Sequence, residues 1–151
     1  MEHTIELVRE GDLSDLLPLM RGYCDFYEVA PTDAELLALS RALIAGPTTD
    51  GVQLIARDDA GRAVGFATIF WTWQTLAAAR LAVMNDLFVH PEARGTGLAD
   101  ALIGACAERA REHGARSLGW QTAEDNKRAQ AVYERVGGHA SRWVDYELPL
   151  D

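Results

Sequence analysis

The sequence predicts a single α/β (α+β) domain over residues 1–151, built on a mixed, mostly antiparallel central sheet with helices on both faces. Three observations carry that reading. Strand-like and helix-like stretches alternate along 151 residues with no repeat, low-complexity tract or linker, and 48% hydrophobic content suits one core. Three neighbouring apolar runs between Val52 and Val89 are joined by turns short enough for a meander. The third run passes through Arg94-Gly95-Thr96-Gly97 directly into an amphipathic helix.

Taken in order, Ile5 to Arg9 alternates apolar and polar residues as a short strand does. Gly11-Asp12-Leu13-Ser14 then offers a turn and an N-cap for a helix through Leu16, Leu17 and Met20 towards Tyr27. Pro31 closes that segment, and Thr32-Asp33-Ala34-Glu35 has capping-box form ahead of Leu36, Leu37, Leu39 and Leu43, a second helix ending near Gly46-Pro47. Val52 to Arg57 and Ala63 to Trp73 are β-branched and aromatic runs around Asp58-Asp59-Ala60-Gly61, a hairpin signal. A third strand, Arg80 to Val89, follows a weaker turn at Thr75 to Ala79. Leu98, Leu102, Ile103, Cys106 and Ala110 repeat at helical spacing up to His113-Gly114, where glycine supplies a C-terminal cap. Ser117 to Thr122 reads as a short strand. Asp125-Asn126 starts a helix with Ala129, Val132, Tyr133 and Val136 on one face, stopped by Gly137-Gly138, and Ser141 to Leu148 is strand-like. The order is β-α-α-β-β-β-α-β-α-β.

Charge and composition exclude several classes of function. Fourteen Lys+Arg against 23 Asp+Glu give a formal charge of -9, which repels nucleic acid and favours cationic partners. Lys127 is the only lysine, and there is no polybasic run for a membrane surface. No apolar stretch approaches the roughly 20 residues that span a bilayer, and the polar start Met1-Glu2-His3-Thr4 carries no export signal, so a cytoplasmic protein is expected. Cys24 and Cys106 lie far apart inside apolar helical patterns and read as small hydrophobes. His90, His113 and His139 have no ligand spacing with one another or with cysteine, so no metal is expected.

The glycine turn is the most informative feature. Where a strand turns through Arg94-Gly95-Thr96-Gly97 into a helix, unpaired N–H groups at the helix start face a space that glycine leaves open, which suits phosphate. The turn has no Gly-Lys-Ser/Thr, so it is not a P-loop. It has no third glycine, and it follows a late strand of a meander, so it is not a dinucleotide fingerprint. Taken alone, Gly95 and Gly97 also fit a merely tight connection.

Arg94-Gly95-Thr96-Gly97-Leu98-Ala99 matches an Arg-x-x-Gly-x-Gly/Ala signature after a fourth strand. Leu87-Phe88-Val89 precedes a proline, Asn126 opens the next helix, and Tyr133 follows seven residues later. With these features in this order, the chain resembles the GNAT family of N-acetyltransferases over nearly its whole length. Tyr23-Cys24-Asp25-Phe26-Tyr27, Asn85-Asp86-Leu87-Phe88-Val89 and Trp120-Gln121-Thr122 look like the branch containing yeast histone and polyamine acetyltransferases. The resemblance implies acetyl-CoA as acyl donor, held by Leu87, Phe88, Val89, Arg94, Gly95, Thr96, Gly97, Leu98, Ala99 and Asn126. It implies an acid role for Tyr133, protonating the departing thiolate, and a base among the acidic residues near Asp86. A pyrophosphate fits a glycine-rich helix start, and a peptide-like pantetheine arm can pair with a strand edge opened by a splay between Leu87 and Trp120.

Each residue also has a plainer reading. Asn126 makes a good helix cap, Tyr133 fits a core face with Ala129 and Val136, and Asp86 can be a hydrogen-bonded carboxylate. Asn85 and Asp86, at period two, are expected on opposite faces, one of them towards substrate. Tyr23, Phe26, Tyr27, Trp71 and Trp73 suit packing singly, yet together could wall an acceptor pocket where Asp25, Glu28 or Asp33 favours a cationic amine. The expected partner is an amine-bearing small molecule or basic peptide, with a homodimer expected from the exposed sheet edge. A catalytically silent acyl-CoA sensor is the alternative; it needs the glycine turn but neither Tyr133 nor the acid.

Overall fold

The computed structural model describes residues 2–151. Residues up to Gln121 form one compact unit and Thr122–Asp151 a second. The first holds a five-stranded sheet in the order β1 (Thr4–Leu7), β2 (Gly51–Arg57), β3 (Ala63–Gln74), β4 (Ala79–Val89) and β5 (Leu118–Gly119). All neighbours pair antiparallel except β4 with β5, which run parallel. The expected meander is therefore present, and among the described residues no helix is long and apolar enough to cross a membrane.

Helices α1 (Leu13–Phe26) and α2 (Asp33–Ala45) cover one face. Leu13, Leu16, Leu19 and Met20 of α1 bury themselves with Val8, Ile55 and Phe66, and Leu36, Leu37 and Ile44 of α2 pack against that cluster. Helix α3 (Leu98–Glu112) covers the other face. A Cβ on Gly65 would lie 3.0 Å from the Phe88 carbonyl oxygen and 3.2 Å from Leu98 and Leu102, so the missing side chain eases the approach of α3 to β3. Alternation along β3 sends Gly65, Ala67 and Ile69 towards α3, and Phe66 and Thr68 towards α1.

Local chemistry sets the element ends. The Thr32 hydroxyl accepts from the Glu35 amide at 3.1 Å, and the Glu35 carboxylate accepts from the Thr32 amide at 2.9 Å, a complete capping box at the start of α2. Thr32→Ala should cost about 1 kcal/mol, read as a lower urea midpoint with unchanged slope. At the hairpin between β2 and β3, Asp58 Oδ1 accepts from the amides of Ala60 and Arg62 while Gly61 takes φ 79°. A turn of 3-10 helix, Glu10–Asp12, precedes α1, and Asp12 stands at its N-cap. Asp12 accepts from the Arg9 amide and pairs with Arg57 at 2.9 Å, tying this corner to β2.

The second unit contains α4 (Lys127–Arg135) and an irregular tail. Asn126 caps α4, its side chain accepting from the Ala129 amide at 3.1 Å. At the other end Gly138 N–H bonds the Tyr133 carbonyl and Gly137 N–H the Glu134 carbonyl, with Gly137 left-handed at φ 94°, a Schellman closure.

The expected strand at Ser141 to Leu148 is not formed: residues 139–151 carry no regular structure, and Trp143, Tyr146 and Leu148 are exposed. Alternating side chains describe a strand only where a ladder partner exists, and the pattern by itself supplies none. The strand expected over Ser117 to Thr122 is also shorter. It pairs with β4 only at Ala82–Leu118 and Val83–Gly119 and then leaves the ladder.

Candidate active site

Between β4 and α3 the chain makes a turn of 3-10 helix (Pro91–Ala93) and then the glycine bend. Gly95 has φ 77° and Gly97 φ 83°, both left-handed, and a Cβ at either would meet nothing within 4 Å. The glycines are thus demanded by backbone conformation, and the space over them is open. Thr96 Oγ1 donates to the Ala93 carbonyl at 2.6 Å and closes the bend. Gly97 is the N-cap of α3 and offers no side-chain cap, so the first-turn N–H groups point outward without the hydroxyl or carboxylate that satisfies most helix starts. Such a terminus fits a pyrophosphate by geometry and by helix dipole.

Strand β4 supplies an open edge. His90 N–H donates to the Val64 carbonyl at 2.8 Å, and antiparallel alternation then turns the Phe88 and Asp86 backbones towards β3 and those of Leu87 and Val89 outward. The Val89 carbonyl does point outward, since Arg94 Nε donates to it at 3.4 Å. As β5 is paired with β4 only up to Val83, the Leu87 and Val89 groups lie on an edge that β5 does not cover. An edge left uncovered in this way fits an amide-bearing arm laid along it. Of the expected run Leu87-Phe88-Val89, the Phe88 side chain faces the other way, against Gly22, Tyr23 and Phe66.

One residue of β4 breaks the register. Thr68 pairs with Asp86 and Ile69 with Met84, so Asn85 is the extra residue of a β-bulge. The expectation that Asn85 and Asp86 face opposite ways fails for this reason. The bulge cancels one step of the alternation, and Asn85 Nδ2 donates to Asp86 Oδ1 at 2.9 Å.

Asp86 lies beneath α1, with Thr68 opposite and the Tyr23 hydroxyl beside it. Burial raises its pKa above the ordinary carboxylate value, and hydrogen bonds from Thr68, Tyr23 and Asn85 oppose the shift. The Tyr23 phenol is raised too, by burial first and by the Asp86 charge second, so Tyr23 stays a protonated donor. Tyr23 packs on Tyr27 at 5.0 Å between ring centroids, and Phe26 on Tyr27 at 5.1 Å. On this same face a cleft of about 390 Å³ is lined by Gly22, Asp25, Phe26, Phe88, His90 and Arg94 among others.

The aromatic set expected around the acceptor divides. Tyr23, Phe26 and Tyr27 stand together near Asp86 and the cleft. Trp71 does not join them: it is buried, stacked on His113 at 4.0 Å, with its indole N–H donating to the Pro47 carbonyl at 2.8 Å. Trp73 is exposed beneath the Arg80 guanidinium, and at about 3.3 Å per residue it lies some 16 Å along β3 from Thr68. Period-two pattern marks strand aromatics without saying which end of a twelve-residue strand the site occupies. Asn126 and Tyr133 belong to the second unit, Asn126 as the cap of α4 and Tyr133 half-buried two turns on. Cys106 is fully buried with its thiol pushed up to about 12, and burial raises the Cys24 thiol as well, so neither is a thiolate nucleophile.

Two polar residues outside the expected set stand near Asp86: Thr68, its partner across the sheet, and Gln53, which bonds Thr68 from the next strand. Their signal was present: each is a lone polar residue inside an apolar strand run, Val-Gln-Leu-Ile and Phe-Ala-Thr-Ile. In a strand whose both faces are covered, such a residue must find a buried partner. Gly97→Val should force a β-branched residue into the left-handed region and fill the space above the bend. We expect at least a tenfold higher KM for acetyl-CoA with a smaller change in kcat, checked by initial rates.

The model of the acetyltransferase (GNAT) family matches residues 18–138. An uncharacterised N-acetyltransferase of Bacillus subtilis, YhfO, is 31% identical over 133 residues, covering 88% of this chain and 87% of that protein. The L-methionine sulfoximine/L-methionine sulfone acetyltransferase of Pseudomonas aeruginosa is 29% identical over 112 residues, 65% of this chain and 64% of that one. Among solved structures, a probable acetyltransferase superposes with a TM-score of 0.85 at 27% identity, covering 98% of each chain. The bend that leaves a helix start uncapped, the β4 edge that β5 does not cover and a family match over most of the sequence agree: this chain belongs to the GNAT family, as an acetyl-CoA-dependent N-acetyltransferase.

Proposed function

We propose that the chain acetylates a small cationic primary amine by direct attack within a ternary complex, with Asp86 as base and Tyr133 as acid. The observation that carries the reading is the placement of Asp86: at the bulge of β4, under α1, with the Tyr23 phenol beside it. Bound acetyl-CoA supplies the activated acetyl group. The α3 start and Arg94 hold its phosphates, and the outward N–H groups of Leu87 and Val89 orient the arm and polarise the carbonyl. An alkylammonium with an ordinary pKa near 10.4 must lose a proton before its nitrogen attacks. Asp86, its pKa raised by burial, takes that proton through water. A C–N bond forms at the carbonyl carbon, the C–S bond breaks, the phenol of Tyr133 gives its proton to the departing sulfur, and the second proton shed by the acylated nitrogen restores the tyrosinate by way of solvent. No acyl-enzyme is required, since neither cysteine is poised to form one.

The acceptor is inferred as cationic from the formal charge of -9, from Asp25 and Asp86, and from the faces of Tyr23, Phe26 and Tyr27. That the Pseudomonas relative acts on an amino-acid analogue supports a small acceptor. The test is a thiol-release assay with acetyl-CoA against polyamines, amino acids, aminoglycosides and lysine peptides. We expect a small polyamine or another small cation to give the highest kcat/KM. Thermal stabilisation by acetyl-CoA with no thiol release on any amine would select the silent sensor instead.

A further inference from the structure

Among the described residues, the buried polar side chains are Ser40, Gln53 and Thr68; they are linked by hydrogen bonds through Met20, and Thr68 stands opposite Asp86 on β4. Gln53 lies on β2 at 3% exposure and Thr68 on β3 fully buried, neighbours across the sheet on the face beneath α1. Gln53 Nε2 donates to Thr68 Oγ1 at 3.0 Å and to Met20 Sδ at 3.7 Å; Ser40 Oγ also donates to Met20 Sδ, at 3.6 Å. Gln53 Oε1 has no partner, so the amide commits both its protons as a donor. With one lone pair of Thr68 Oγ1 taken by that amide, the hydroxyl keeps its own proton to offer, and Asp86 is the residue opposite it on β4.

We propose that Gln53 and Thr68 are positioning residues, a one-way donor chain that fixes the orientation of the Asp86 carboxylate and holds its charge where the sheet would otherwise neutralise it. The inference rests on Asp86 acting as base. A buried amide with an unsatisfied oxygen costs stability. An apolar side chain of the same size would serve the core better, so its retention calls for another role. The groups facing Asp86 are Thr68 from β3, Tyr23 and the Cys24 thiol from α1, with Tyr27 behind Tyr23, and Asn85 from its own strand. Of these only Thr68 is itself held by a second buried donor.

The experiment follows the Asp86 side-chain carboxyl by carbon NMR across pH in the ligand-free protein, together with pH profiles of kcat/KM, for the wild type, Thr68→Val, Thr68→Ser and Gln53→Leu. A hydrogen bond to a charged group corresponds to a shift of about one pH unit. Thr68→Val should raise the Asp86 midpoint by that much and move the acidic limb of the rate profile with it. Thr68→Ser should restore both, and Gln53→Leu should give a smaller shift in the same direction, with KM for acetyl-CoA within about twofold throughout. Should Thr68→Val lose stability by stranding the Gln53 amide, the double variant Thr68→Val/Gln53→Leu removes both polar partners and should show the same midpoint shift. An Asp86 midpoint unmoved in Thr68→Val or in the double variant overturns the proposal. A midpoint that moves while the rate profile stays fixed supports the donor chain and sinks the base reading of Asp86.

Discussion

Tyr133→Phe should lower kcat by about 10²-fold or more, the usual scale for losing a positioned general acid, while KM for acetyl-CoA stays within a few-fold. The substitution removes one hydroxyl and keeps the ring, so α4 retains the half-buried face that Tyr133 shares with Ala129 and Val136. The Asn126 cap and the Schellman closure at Gly137 and Gly138 use backbone groups and the Asn126 side chain, none of which changes. The phenol is needed only as the C–S bond breaks and charge gathers on the sulfur. Acyl donors with different leaving thiols provide a second check. A donor whose thiol is more acidic should narrow the gap between the variant and the wild type, because its thiolate needs the proton less. Equal turnover at saturating substrate would remove Tyr133 from the acid role.

The parts of this molecule that were legible in the sequence are those dictated by local chemistry. The capping box of α2, the Asp58 to Gly61 hairpin, the left-handed glycines of the bend and the Asn126 cap all work within five residues of chain, and each appears where the spacing puts it. The meander followed from runs of β-branched residues and short turns. What stayed hidden needed long-range information. Nothing in Met84-Asn85-Asp86-Leu87 shows that one residue will be squeezed out of register, because a bulge depends on the partner strand. The division of the aromatic set has the same origin. Trp71 and Trp73 belong with β3 by pattern, but only packing against the end of α3 assigns Trp71 to His113 and sends Trp73 outward. The segment from Ser141 to Leu148 is the converse, a good strand pattern without the neighbour that would realise it.

Asp86→Asn offers the sharpest division between stability and catalysis. Burial raises the folded-state pKa of Asp86, so between the ordinary carboxylate value and the raised one the folded protein binds more protons than the unfolded chain, and stability declines as pH rises through that window. At neutral pH the charged carboxylate therefore detracts from stability, and an uncharged amide should leave the protein at least as stable by thermal melt. Activity should move the other way. With no base to receive the ammonium proton, kcat/KM at neutral pH should fall by about 10²-fold or more. The acidic limb of the wild-type profile, where Asp86 takes up its own proton as pH falls, should vanish. The rate should instead rise steadily towards alkaline pH as the free amine fraction grows in solution. A protein that is more stable, slower, and revived by alkali has lost a base; one that keeps its acidic limb has its base elsewhere.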